Sequence, residues 1–497
     1  MTTVVNPKAS GRGRAAAAVL IAVAAALYSY VSLYRHQHFA SNAFDLAVQD
    51  QTVWGYSRLE FIHNTVLGIP NLLGDHFHPI LMVLGPFMWL WNSAGVLLVA
   101  QAVLLAAAAI PIYLWGEREL GPVAGVAFTV AYLAFWGVLA GVIYDFHHVA
   151  FAVPAISFAL YATLTRRTWL LIPSVAVAML TREDVALTLI ALGLYILIVQ
   201  RRWIIGASLV VINAAWIAAL LGVVIPALGG GVAYRHWTYD ALGNTPLNAA
   251  LHVLRHPLDS LKLLITPSEK LRVWLGSFLA FALLPLASPI LIVAIPSFLE
   301  RFWSSSSNFW SFHYQYSMLP APILTFAAID SCARASRLLR GRLPALSRLA
   351  MPLAAAATSV VLTFVFIRPF AEVTTYPSSA RAAEIQSCLD MIPADASVTA
   401  SNALVPHLSH RDLIYEISMH ATGDYVVIDP ATYRDFFRGE EDQLRQIVRG
   451  DLAAGFGIVC ANDTTLVLAH VESRTQLTPE LQRWLAGQCS GPACARD

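Results

Sequence analysis

Four short stretches bring carboxylates and imidazoles together beside strongly apolar sequence: NAFDLAVQDQTVW at 42–54, GDHFHPIL at 74–81, IYDFHHVAF at 143–151 and TREDVAL at 181–187. A carboxylate close to a histidine or arginine can act as general base toward a hydroxyl, provided its pKa suits proton acceptance. The same oxygen and nitrogen donors are hard or borderline ligands for Mg, Mn or Zn. Asp75, His76 and His78, or Asp145, His147 and His148, would supply part of such a site. No HExxH, CxxC or Ser–His–Asp pattern accompanies them, so spacing selects neither a metal nor a nucleophile. A fifth stretch, LERFWSSSSNFWSFHYQYS at 299–317, adds Glu300, Arg301, His313 and Tyr314 among many aromatics. Its rings fit a membrane-interface belt. Arg301 and His313 also suit an anionic head group, because arginine makes charge-assisted bonds to phosphate oxygens.

Ionisable side chains beside lipid are costly, on the order of 2.5–3.5 kcal/mol at the centre of a span and less toward its ends. Four such clusters on one side therefore predict a shared water-filled cavity. Taken singly, each also reads as a solvated helix cap. TRED places Thr181 and Asp184 at capping-box spacing, although that motif prefers Glu or Gln in the last position.

The elements that would carry these stretches are membrane helices. The chain is 57% hydrophobic and 13% charged, where soluble domains carry roughly 25% charged residues. Apolar segments near 15–34, 96–115, 120–140, 149–165, 169–181, 185–200, 203–227, 273–287, 289–299, 317–331 and 349–368 predict about eleven spans, several of them short. The first is an uncleaved span rather than a signal peptide, since no convincing cleavage site follows it. Pro285, Pro289 and Pro296 predict broken helices around 273–299. The run at 79–92 is expected to be interfacial or re-entrant, because counting it as a span would reverse every later loop. With the N-terminus inside, Lys8, Arg12, Arg14, Arg118, Arg166, Arg167, Arg201, Arg202, Arg334, Arg337, Arg340, Arg342 and Arg348 all fall on the cytoplasmic side. The acidic clusters then face outward. Within the outer loop 229–272, residues 251–264 carry Leu251, Leu254, Leu258 and Leu261 on one stripe, which predicts a helix on the membrane surface or an ordinary amphipathic loop helix. A net charge of +1 gives no field that would favour nucleic acid.

The expected fold class is an α-helical polytopic membrane protein with a small C-terminal α/β domain. Its parts are a cytoplasmic N-terminus at 1–14, a transmembrane domain at 15–370 with a long first outer loop at 35–95, and an extracytoplasmic domain at 371–497. That domain is expected to alternate helices at 381–391 and 431–449 with strands at 397–401, 412–417, 424–429, 456–461 and 464–470. In an oxidising compartment, Cys388 or Cys460 would pair with Cys489 or Cys494; free buried thiols are the other reading.

At FDLAVQDQTVW (44–54), GDHFHPIL (74–81), DFHHVAF (145–151), TREDVAL (181–187), the His313–Tyr314 pair and SNALVPHLSHRDLIYE (401–416), the chain resembles the predicted-membrane-protein family DUF2079. His148 stands where that family commonly has proline, and Arg182 where it often has lysine. The family in turn is distantly similar to the GT-C membrane glycosyltransferases, which commonly use a sugar on a polyprenyl phosphate and carry an acidic residue soon after span one. Asp45 matches that residue by position, which implies a role toward the acceptor or a metal, and Asp145 is a candidate second acidic group.

The resemblance implies transfer of a sugar from a polyprenyl-phosphate donor to a cell-envelope acceptor at the outer face of a bacterial membrane. On the clustering of the acidic and histidine stretches, Asp45, Asp145 and Glu183 would be catalytic. Gln49, Asp75, His76, His78, His147, His148, Arg182, Asp184, Arg301, His313 and Tyr314 would bind substrate. A divalent metal, Mg or Mn, would take Asp45, His76 or His147 as ligands, with membrane lipids as further partners. Two other classes remain open. A transporter or flippase would use the same groups for binding, although no internal repeat is found. A membrane-anchored sensor or assembly factor would use the C-terminal domain, with His407, His410 and Arg411 as a site or as a solvated loop.

Overall fold

Where lipid excludes water, backbone amides must find partners within their own segment, so apolar sequence of sufficient length becomes helix. In the computed structural model of the protein, which describes residues 7–231, 234–339, 343, 345–367, 376–419, 421–432 and 441–489, four helices are long and apolar enough to cross a membrane. They are Gly11–Gln37, Gly95–Leu120, Trp203–Leu228 and Leu346–Ile367; a fifth crossing results if the pair Pro122–Leu133 and Trp136–Ile143, bent by 43°, forms one span. The apolar helices at 148–164, 168–179 and 185–198 are shorter. Prolines break the chain where expected. After Ser268–Leu279 come the tight turns Leu284–Ala287 and Pro289–Ala294, then the helix Ile295–Trp303.

The surface helix expected at 251–264 is two helices, Pro246–Arg255 and Pro257–Leu263. Pro257 lacks an N–H and pushes the preceding residue out of helical geometry, and His256 accordingly sits at φ −127°, ψ 60°. Leu254, Leu258 and Leu261 remain exposed.

The chain divides into two compact units. The first comprises 1–31, 73–81 and 99–371; the second comprises 32–72, 82–98 and 372–497. The residues 35–95, expected as one outer loop, are thus shared between them. In the first unit the antiparallel helices Val185–Ile198 and Trp203–Ala219 meet at two glycines. A Cβ on Gly206 would lie 2.7 Å from the Gly193 carbonyl oxygen, and one on Gly193 would lie 2.9 Å from that of Gly206. Only glycine permits this approach.

The second unit is built on a five-stranded sheet: β1 (Val398–Ala400), β2 (Ile414–Glu416), β3 (Tyr425–Ile428), β4 (Gly457–Asn462) and β5 (Thr465–Ala469). The order is β2-β1-β3-β5-β4, with β1 parallel to both β2 and β3, and β5 antiparallel to β3 and β4. Helices Ser379–Leu389, Glu441–Ala453 and Pro479–Leu485 accompany it. Residues from the first loop complete its core: Phe39, Val48, Val66 and Ile69 pack with Ile385, Val398, Leu404 and Ile414. Thr65 Oγ1 donates to the Ile414 carbonyl at 2.7 Å and accepts its N–H at 3.0 Å, satisfying the edge strand β2.

Among the described residues a disulfide joins Cys388 to Cys460, a correction to the expected pairing of either with Cys489 or Cys494. Cys388 on its helix and Cys460 on β4 face one core, which sequence separation does not disclose. Cys332 is a free, buried thiol. Residues 1–6, Arg340, Arg342, the junction at 370–371, residues 433–440 of the expected helix and Cys494 lie outside the described residues.

Replacing Gly206 with Val forces overpacking of this helix pair, an effect of about 1–3 kcal/mol. A lowered thermal midpoint of the detergent-solubilised protein is expected, with Gly206→Ala intermediate; unchanged midpoints for both would contradict the close approach.

Candidate functional site

The turn between helices Thr168–Met179 and Val185–Ile198 presents Glu183, 1% exposed. A buried carboxylate requires several donors, and Glu183 has them. Its Oε1 meets His76 Nδ1 at 2.6 Å and the Tyr234 hydroxyl at 2.9 Å, while Oε2 accepts the Phe77 N–H at 3.0 Å. Burial pushes the Glu183 carboxyl upward, but the charge and hydrogen bond of His76 outweigh it and hold the group far below the usual carboxylate range. His76 responds in reverse: burial lowers it, Glu183 raises it more, and the net shift is upward.

The capping role open to TRED is not taken. Asp184 makes no side-chain cap; it pairs with Arg182, and Thr181 donates to the Ala178 carbonyl.

Gly74 sets the register of the neighbouring loop. A Cβ there would fall 2.2 Å from the Gly229 amide nitrogen, so the two backbones touch only because Gly74 has no side chain. The loop after Gly229 then supplies Tyr234 and His236. His236 Nε2 lies 2.9 Å from Asp75 Oδ1, and its ring stacks on His76 with centroids 3.9 Å apart and planes at 16°. Burial raises the Asp75 carboxyl, but the His236 hydrogen bond and the His76 charge bring it below its ordinary value. His78, buried and near His76, is pushed down to about 4. His148 tilts against both His76 and His78, at 5.7 and 4.5 Å.

The third stretch is clamped by a residue that motif reasoning missed. Gln101, on the helix Gly95–Ala107, donates to the Gly141 and Asp145 carbonyls at 2.9 and 3.1 Å and accepts the His147 N–H at 2.9 Å. Asp145 is fully buried, and its carbonyl meets His147 Nδ1 at 3.0 Å. Tyr144 stacks on His147 and meets Tyr314 edge-on. A cavity of ≈ 20 Å³, about enough for one water, opens between Val149, Arg182, Glu300, Arg301, Gln315 and Tyr316. Burial and Asp184 push Glu300 well above the usual carboxylate range. Arg301 is 2% exposed and donates to the Phe309 and Ser311 carbonyls and to Ser317. Three of its five N–H groups are thereby used, and among the described residues no carboxylate pairs with it. Burial lowers its pKa to about 9. His313 is exposed and bonds Ser311 at 2.7 Å.

The first unit therefore gathers Asp75, His76, His78, His148 and Glu183 with Tyr234 and His236, beside Arg182 and Asp184. Tyr234 and His236 lie in a loop without motif spacing; the Tyr-Arg-His-Trp run shortly after the apolar helix Trp203–Leu228 is the available signal. Among the described residues, one group sets three metal-type ligands within 4.8 Å: Asp75, His76 and His236. Of the expected metal candidates only His76 belongs to it; Asp45 and His147 do not.

Asp45 and Gln49 belong to the second unit. Asp45 lies in the turn Ala43–Ala47, anchored where the Ala43 N–H meets Asn402 Oδ1 at 2.6 Å, and Gln49 is buried on the helix that follows. Nearby Asp50 is fully buried and accepts from Ser409 at 2.5 Å and His410 at 3.0 Å. PHLSHRD is thus no solvated loop: Arg411 is buried and donates to the Leu408 and Ala396 carbonyls, and His407 stacks on His36.

The family described as predicted membrane protein (DUF2079) matches residues 35–460. A comparison with curated proteins finds no significant match. Among solved structures, the fold is similar to ArnT from Cupriavidus metallidurans bound to undecaprenyl phosphate, with 15% identity, a TM-score of 0.54 and coverage of 92% of this chain and 99% of that one. The apo form of the same protein gives 14% identity and a TM-score of 0.52 over the same shares.

Burial lowers His410, but Asp50 raises it further, and its net pKa lies above 6.5. A raised histidine stabilises the fold fully below its unfolded value, and that contribution is lost as pH rises through the folded value. The stabilisation from the His410–Asp50 pair should therefore fall as pH rises above 6.5, so the difference in thermal midpoint between wild type and His410→Asn should narrow with rising pH. A midpoint difference that stays constant with pH would contradict the pairing.

Proposed function

We propose that this chain, which belongs to the DUF2079 family of predicted membrane proteins, is a glycosyltransferase of GT-C type that takes its sugar from a polyprenyl phosphate at the extracytoplasmic face. The observation that carries this reading is the fold, similar over 92% of the chain to a protein crystallised with undecaprenyl phosphate. The buried carboxylates and imidazoles gathered on an apolar helical scaffold in the first unit support it. The Cys388–Cys460 disulfide favours an oxidising compartment for the second unit. The topology that agrees with the charge bias is about eleven crossings, with the N-terminus cytoplasmic and the C-terminal residues outside.

In this reading Asp45 is the general base. It takes the proton of the acceptor hydroxyl as that oxygen attacks the anomeric carbon, and the sugar–phosphate bond breaks to release polyprenyl phosphate. Arg301, buried without a carboxylate partner among the described residues, retains donors for the departing phosphate oxygens. Within the first unit, Asp145, Glu183, His147, His313 and Tyr314 serve the donor.

The test is transfer of a labelled sugar from a polyprenyl-phosphate donor in proteoliposomes. Asp45→Asn should reduce the rate by about 10²–10⁴-fold, the usual contribution of general-base catalysis, with the protein still folded. Arg301→Lys should raise the donor KM more than it lowers kcat. Undiminished transfer by Asp45→Asn refutes its role, and movement of intact donor across the bilayer without a covalent product favours a carrier.

A further inference from the structure

We propose that Asp75, His76 and His236 bind one zinc ion, with Glu183 orienting His76. The inference is independent of the transferase reading.

Two imidazoles and one carboxylate with a further position open to water form a known zinc ligand set. Magnesium and manganese, by contrast, prefer oxygen donors. The three side chains each offer an atom within 4.8 Å of the others. Two donors held 2.0–2.1 Å from a tetrahedral ion stand roughly 3.3 Å apart, and Asp75 Oδ1 and His236 Nε2 already lie 2.9 Å apart. A small outward movement admits the ion.

The surroundings of His76 strengthen the assignment. A zinc-bound histidine generally gives its other ring N–H to a carboxylate, which fixes the tautomer and the ring orientation. His76 Nδ1 meets Glu183 at 2.6 Å, which leaves Nε2 as its ligand atom. Glu183 is itself held by the Tyr234 hydroxyl and the Phe77 N–H, so its carboxylate cannot swing away without stranding two donors. Direct contact of Gly74 with Gly229 keeps the loop carrying Asp75 and His76 against the loop carrying His236. An ion would therefore tie together two chain segments 161 residues apart in sequence.

The test uses the full chain in detergent, stripped with a chelator, reloaded with zinc and analysed by mass spectrometry for metal. Wild type should hold one zinc per chain, and His236→Ala and Asp75→Asn should hold none. Glu183→Gln should bind 10- to 100-fold more weakly, the usual effect of losing such a support, while His78→Ala should bind as wild type. Because variants can misfold, the wild-type protein gives a second readout: chelation should lower its thermal midpoint, and zinc but not magnesium should restore it. Absence of zinc in the reloaded wild type, full zinc in His236→Ala, or restoration by magnesium or manganese alone would each overturn the assignment. Loss of sugar transfer alone bears on the transferase reading and leaves the metal count untouched.

Discussion

Glu183 is a carboxylate with almost no access to water, and the polar architecture of the first unit follows from how it is satisfied. Three donors converge on its two oxygens, from His76, Phe77 and Tyr234. Removing a partner from such a group leaves an uncompensated buried charge, which is strongly destabilising. The loops at 74–78 and 234–236 are therefore held to the turn before the helix Val185–Ile198. The helix in turn is seated by the glycine contact with its neighbour, so apolar packing and polar satisfaction reinforce each other.

The imidazoles around Glu183 divide by partner. His76 faces a carboxylate and gains proton affinity; His78 is buried close to His76 and loses it. One short sequence, Asp-His-Phe-His, thus yields two histidines of opposite character. Neighbouring charge, rather than burial, separates them, since burial acts on both in the same direction.

The second unit obeys the same rule with different means. Its sheet would end at β2 with unpaired backbone groups, and Thr65 from the first loop occupies that edge. Apolar residues of the same loop enter the core beneath the sheet, so the segment carrying Asp45 is positioned by the C-terminal residues. Asp50, fully buried, finds Ser409 and His410 there. An acidic motif near the N-terminus and a histidine motif near residue 410 are two halves of one packed unit.

Sequence by itself located the long apolar helices near 15–34, 96–115, 203–227 and 349–368, the proline breaks at 285–296 and the five strands, because hydrophobic runs, alternation and proline act locally. Its errors are of one kind. The pairing of Cys388 with Cys460, the burial of Arg411 and the roles of Gln101, Tyr234 and His236 all depend on contacts between distant parts of the chain. Tertiary structure alone decided that Glu183 meets His76, 107 positions away, and that Asp75 meets His236, 161 positions away. No periodicity spans such separations; a buried charge accepts whichever donor the fold delivers, and the fold is delivered by the packing of apolar helices and strands.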